Sequence, residues 1–392
     1  MSSNREIYLD NSATTKICER ALERYVRVSK ESFGNPSSLH GYGFTAEKEL
    51  KETRSTVLSS LGERDSAVVF TASGSEANNL AIIGRALAKE RYKRGAKIIT
   101  TSGEHASVSE PIKKLSEMGY KVAEIPTANG KIDTGALLSE LTPDVILVTV
   151  MMVNNETGAL YDITAVSRLV RERCPEALVH VDATQSYMKV RFTKRQLGAD
   201  MITLSSHKIE GPKGVGALVI DNKVIKSRGL SPIILGGGQE GGLRSGTENV
   251  PAVAAFGEAI RYCTESLSER ISKMNSLREA LIREISSDKL LRSISMTLPE
   301  SHAPHILNIT LPGIKSETAL HFLSSLGIYV SSGSACSSNS GHTSSALVAY
   351  GRSADEADSS IRISFCPDNT FEDVHALADG LRAALAKLAR KR

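Results

Sequence analysis

MITLSSHKIEGPKG, residues 201–214, starts as an apolar, β-branched run and ends in two serines, a histidine and Lys208 before a Gly-Pro turn. A second run, LVHVDATQ at 178–185, ends the same way in Asp182, 26 positions before Lys208. Short continuous apolar runs closed by polar residues read as strands buried on both faces. Taken singly, Lys208 reads as a surface lysine and Asp182 as a helix cap. Taken as a pair at the carboxyl tips of neighbouring strands, they meet the needs of pyridoxal phosphate. The amine forms a Schiff base with the aldehyde, and the carboxylate keeps the pyridine nitrogen protonated so that the ring can accept electrons.

Outward from this pair the same grammar repeats. SAVVFTA, KIITTS, KVAEIPT, DVILVTVMM and GALVID are further strand-like runs, and amphipathic segments such as EANNLAIIGRALAKERYKRG and ITAVSRLVRERC separate most of them. The expected fold is α/β: a mostly parallel seven-stranded sheet with helices on both faces, followed by a smaller C-terminal α/β domain. The link from MITLSSH to GALVID is too short for a crossover helix, so those two strands are expected to run antiparallel. After the Gly-rich run at 236–246, one long helix is predicted from Pro251 towards Ser287. The boundary is placed inside that helix. Residues 15–261 form the large cofactor-binding domain, and 1–14 with 262–392 form the small one.

Composition narrows the function. The chain has 392 residues, 41% hydrophobic and 23% charged, with a net charge of +4. That charge is small for the length and gives no case for nucleic-acid or membrane binding. The start, MSSNREIYLD, lacks the apolar core of a signal peptide, and no apolar run approaches a membrane span. Five cysteines without metal-ligand spacing fit a reducing cytoplasm, and no metal site is expected.

Open parallel sheets bind ligands at the carboxyl ends of their strands, and the remaining candidates fall there or on nearby loops. In TASGSEANN, Gly74 permits close backbone approach and Ser75 offers a hydroxyl and an amide at a helix N-terminus, a setting for phosphate; its plain reading is an N-cap. Ser205 and His207 add phosphate contacts beside Lys208. His105, after the strand KIITTS, is placed to stack on a flat ring and move a proton, although a lone histidine is more often structural. Gln185 is within reach of the ring's phenolic oxygen, and Asn155 of that oxygen or a substrate carboxylate. Arg362, in SSIRISF, offers a bidentate fork for an amino-acid carboxylate, with an ordinary salt bridge as the default. Cys336 sits in SSGSACSSNSGHTSS, where few apolar neighbours exist to bury a thiol, and is read as reactive. Cys18, Cys174, Cys263 and Cys366 read as inert.

With YLDNSATT, FGNPSS, NNETG and RSGTENV added in the same order, the chain resembles the cysteine desulfurases of the class V aminotransferase group, fold-type I pyridoxal phosphate enzymes, almost end to end. The resemblance implies conversion of L-cysteine to L-alanine, with sulfur left on Cys336 as a persulfide, and a loop at 331–345 that carries that cysteine. Cys336 would also be a transient iron–sulfur ligand. Lys208 falls on the family's Schiff-base lysine, with Lys213 its rival in the glycine turn. Asp182, Gln185, Asn155, Gly74, Ser75, Ser205 and His207 fall on its cofactor contacts, His105 on its acid-base histidine and Arg362 on its carboxylate arginine. Thr247 falls on a residue that reaches the partner's phosphate, which implies a homodimer. Tyr187, Met188 and Glu210 depart from the family pattern. The sequence stops at KLARKR without the extension that docks an iron–sulfur scaffold in housekeeping members, so the acceptor stays open between such a scaffold, a sulfur carrier and a tRNA-thiolating enzyme. Selenocysteine lyase and a plain aminotransferase are the alternative activities.

Overall fold

The computed structural model describes residues 6–88, 96–332 and 344–388. Cys336, and with it the expected role of its loop, lies outside the described residues, as do residues 389–392.

Seven strands form the central sheet: β1 Ser66–Thr71, β2 Lys97–Thr101, β3 Lys121–Ile125, β4 Val145–Met151, β5 Leu178–Asp182, β6 Met201–Ser205 and β7 Gly216–Asp221. Their order is β1-β7-β6-β5-β4-β2-β3. Only β7 runs against the rest, pairing antiparallel with both β6 and β1. The ten-residue link with Gly211, Pro212 and Gly214 allows no crossover, as its length required. Every residue of β4, β5 and β6 is buried, as helices on both faces demand.

Register places the site. Asp182 pairs with Met151 on β4 and Thr203 on β6, and Gly216 lies between Ser205 and Thr71. A Cβ on Gly216 would come within 2.6 Å of the Ser73 carbonyl carbon and 2.8 Å of the Gly74 nitrogen. The missing side chain is what lets the turn after β1 fold down over the sheet edge.

The second core surrounds an antiparallel sheet of Ser295–Thr297, Ile306–Thr310, Ser360–Ser364 and Ser331–Ser332. Ile7 and Leu9 belong to it, together with Leu277, Leu281, Phe365 and Leu377. The single helix predicted from Pro251 to Ser287 is two, Val250–Glu265 and Leu267–Ser287. Ser266 leaves helical geometry between them at φ −127°, ψ 27°. Neither glycine nor proline marks the break. The first helix packs on Glu19–Glu31 and Gly41–Ser60, the second on Phe371–Leu388, and the two packing directions require a bend.

Candidate active site

Residues 10–15 lie across the strand tips and fasten Lys208 in place. The Lys208 ammonium donates to the Ser12 carbonyl at 2.7 Å and the Ala13 carbonyl at 2.8 Å. Gln185 Nε2 donates to the same Ser12 oxygen at 2.9 Å. His207 Nδ1 lies 3.1 Å from Thr14 Oγ1, and its carbonyl accepts from the Thr15 amide at 2.9 Å. Burial and the charges of Lys208, Lys213 and Lys189 lower the His207 pKa to about 4, so its ring is neutral.

Asp182 is buried at the end of β5. Its Oδ1 accepts from the Thr184 amide at 2.9 Å, and its Oδ2 from Asn78 Nδ2 at 2.8 Å. Asn78 gives its other hydrogen to Ser107 Oγ at 2.8 Å, and that hydroxyl lies 2.9 Å from His105 Nδ1. The Ser107 amide also donates to His105 Nδ1, making His105 the N-cap of Ala106–Glu117. With Nδ1 accepting, the ring proton sits on Nε2. Burial lowers the His105 pKa, Asp182 opposes the shift, and Lys208 and Arg362 add to it. His105 therefore lies within the fields of all three charged candidates. Just before it, Glu104 is buried and its pKa is pushed up to about 8 by that burial, despite bonds from Thr101 Oγ1 and the Met151 amide.

The phosphate candidates cluster at the start of helix Gly74–Ala86. Ser73 Oγ caps it by accepting from the Glu76 amide. The amides of Gly74 and Ser75 precede that bond, in the first turn where no intrahelical acceptor exists. A Cβ on Gly74 would meet Thr184 Oγ1 at 3.1 Å and Ser205 Cβ at 3.2 Å, so three segments converge on this glycine. Thr247 is exposed beyond the Gly-rich run, which buried Glu240 anchors through Arg54, at 2.6 and 2.8 Å, and the Phe70 amide.

Arg362 reaches from the second sheet towards this edge. It pairs with Asp10 at 2.8 Å and donates to the Asn155 carbonyl at 2.9 Å; its buried Nε has no partner among the described residues. Asn155 is presented by its neighbour Asn154, whose Oδ1 accepts from the Glu156 and Thr157 amides. The sequence reading missed Asn78, Ser107, Ser12 and Asp10. Asn78 lies inside TASGSEANN, and Asp10 and Ser12 inside YLDNSATT, but nothing in the sequence shows what they reach.

The model of the aminotransferase class-V family matches residues 7–377. The chain belongs to that family. It is 37% identical over 382 residues to a protein of Archaeoglobus fulgidus named cysteine desulfurase IscS 1, covering 97% of each chain. It is 39% identical to a NifS/IcsS protein homolog of Lactobacillus delbrueckii, over 94% of each. A solved NifS-like protein superposes with a TM-score of 0.89 at 35% identity, over 97% of this chain and all of that one. SspA, solved in complex with cysteine, does so with a TM-score of 0.80 at 32% identity, over 93% of this chain and all of the other.

Proposed function

We propose that the protein is a pyridoxal phosphate-dependent cysteine desulfurase. The observation that carries this is that Lys208 and Asp182 are held at neighbouring strand tips while Arg362 reaches the same edge through Asp10 and the Asn155 carbonyl. The relatives' names and the cysteine-bound neighbour support the substrate. The cofactor fits the residues present: a lysine amine, a buried acid, and a glycine cradle at a helix N-terminus that any larger residue would fill. Lys208 would hold its aldehyde, Asp182 its ring nitrogen, Gln185 and Asn155 its oxygen, His105 its ring face, and Gly74, Ser75, Ser205, His207 and the partner's Thr247 its phosphate. When bound, pyridoxal phosphate supplies the electron sink that loosens the substrate's α-hydrogen and its carbon–sulfur bond.

The protein's own groups do the rest. Arg362 takes the substrate carboxylate, which must share the guanidinium with Asp10 and Asn155. Lys208 would accept the α-proton, and neutral His105 would exchange a proton at Nε2. The Cys336 thiolate attacks the substrate sulfur. As the new S–S bond forms, the carbon–sulfur bond breaks, and its electron pair stays with carbon, which takes a proton. The products are alanine and a Cys336 persulfide, and the sulfur then passes to an acceptor protein.

The separate core around the second sheet supports a division into a large cofactor domain, read from the sequence as 15–261, and a small domain, read as 1–14 and 262–392. A homodimer is supported by the apolar side chains left in solvent around the start of helix Gly41–Ser60: Phe33, Tyr42, Phe44 and Leu39, the last 90% exposed. No helix among the described residues is long and apolar enough to cross a membrane, which agrees with a cytoplasmic location.

Incubation of the purified holoenzyme with L-cysteine should give alanine and, with a thiol reductant, sulfide in equal amounts. Lys208→Ala should remove both the products and the visible absorbance of lysine-bound cofactor. Alanine without sulfide, or borohydride-reducible cofactor retained in Lys208→Ala, would refute the assignment.

A further inference from the structure

Lys189 is 5% exposed, and its ammonium nitrogen has no hydrogen-bond partner among the described residues. A buried ammonium without partners is costly unless it gives up its proton. It lines a narrow cleft with Lys208, Glu210, Arg270 and Cys366. Met188 (φ +56°) and Glu210 (φ +62°), both non-glycine residues in the left-handed region, lie beside Lys189 and near Lys208 in the chain. Backbone of this kind persists where the surroundings impose it, and it concentrates at functional sites. Met188 and Glu210 are also two of the residues that set this chain apart from its family's usual pattern.

We infer that Lys189 is a positioning residue for Lys208: its charge lowers the proton affinity of the Lys208 nitrogen, keeping that nitrogen available to bond a cofactor aldehyde and to accept the substrate proton. This inference rests on the cofactor chemistry proposed above.

The other titratable groups around Lys189 leave these two nitrogens as competitors for a proton. Glu210 is paired with Arg270. Burial raises the pKa of the Cys263 thiol to about 12 and of Cys366 to about 11, so both stay protonated. His207 and His305 are held neutral, each with Lys189 among the causes. Burial and the neighbouring Lys208 together bring Lys189 itself down to about 7, with Glu210 opposing, so Lys189 carries the charge that acts on Lys208 below that pH. Like charges lining one cleft titrate as a pair, and each makes the other easier to deprotonate.

The test is a pH titration of the visible absorbance of the holoenzyme, which reports protonation of the lysine–cofactor linkage. In Lys189→Met, which keeps the bulk of the side chain and removes the charge, the midpoint should rise by about one pH unit. Lys189→Gln should move it the same way, and Lys189→Arg should hold it at or below the wild-type value. Thermal unfolding of Lys189→Met should occur at or above the wild-type temperature, so the shift cannot be a loss of folding. Unchanged midpoints in both neutral variants would overturn the inference while leaving the desulfurase reading intact. A wild-type protein without lysine-bound cofactor absorbance would overturn both.

Discussion

Asn78→Ala is the substitution whose consequence the site geometry specifies most fully. Asn78 is 1% exposed, and both hydrogens of its amide are used, one on Ser107 Oγ and one on Asp182 Oδ2, each at 2.8 Å. A hydrogen bond to a charged group contributes about 1.5–3 kcal/mol, and a neutral one about 1 kcal/mol. Truncation leaves the Asp182 carboxylate buried with the Thr184 amide as its remaining donor among the described residues, so a loss of about 2–4 kcal/mol is expected. Urea unfolding of the cofactor-free protein at neutral pH measures it directly. Asn78→Asp separates geometry from charge. It keeps the shape but sets a second carboxylate against Asp182, so one of the two holds its proton to higher pH. The folded state then binds a proton that the unfolded state has released, and the variant's stability should fall as pH rises above about 4. Asn78→Ala within about 0.5 kcal/mol of wild type, the range of an ordinary surface change, would show that the network from Asp182 to His105 does not hold the site together.

Glu104 makes a second pH-dependent case. Its folded pKa of about 8 lies above the unfolded carboxylate value, so its contribution is fully present at low pH and is lost as pH rises towards 8, with a limiting slope of about 1.4 kcal/mol per pH unit. Glu104→Gln should flatten that part of the pH–stability curve between pH 5 and 8 in urea titrations, and an unchanged slope would mean that Glu104 is already ionised. Cys336→Ser should keep the visible absorbance of bound cofactor and its response to cysteine while abolishing sulfide release; mass spectrometry should find no added sulfur on the loop peptide.

The sheet was legible because burial on both faces turns strands into unbroken apolar runs, and because the short link from Ser205 to Gly216 excluded a crossover. The helix break at Ser266 was not legible. Residues on either side continue a helical pattern, and the bend comes from which neighbours the two halves pack against. At the site, strand-tip residues such as Asp182 and Lys208 could be read because their chemistry is unusual at the end of an apolar run. Asn78 and Ser12 could not, since their roles depend on contacts across 104 and 196 positions of chain. Lys189 gave no signal either. An isolated lysine after a strand reads as solvent-exposed, and only the left-handed turn at Met188 shows how the chain buries it.

The contacts that line the site also join the two cores. Asp10 and Asn11 follow a strand that pairs with the second core, yet Ser12 and Ala13 accept from Lys208 in the first. Arg362 belongs to the second sheet and bonds Asp10 and the Asn155 carbonyl. Ser364, two residues on in the same strand, accepts from the Ser12 amide at 2.8 Å and the Asn11 side chain at 2.9 Å. A buried ion pair adds little net stability, but separating its partners is costly because each charge is left unpaired. The junction therefore contributes registration more than cohesion: a shift of one core against the other would strand Arg362 and Lys208 together. With Arg362, the proposed carboxylate-binding cation, on one core and Lys208, the proposed reactive amine, on the other, their spacing, on which substrate alignment would depend, is a property of that junction.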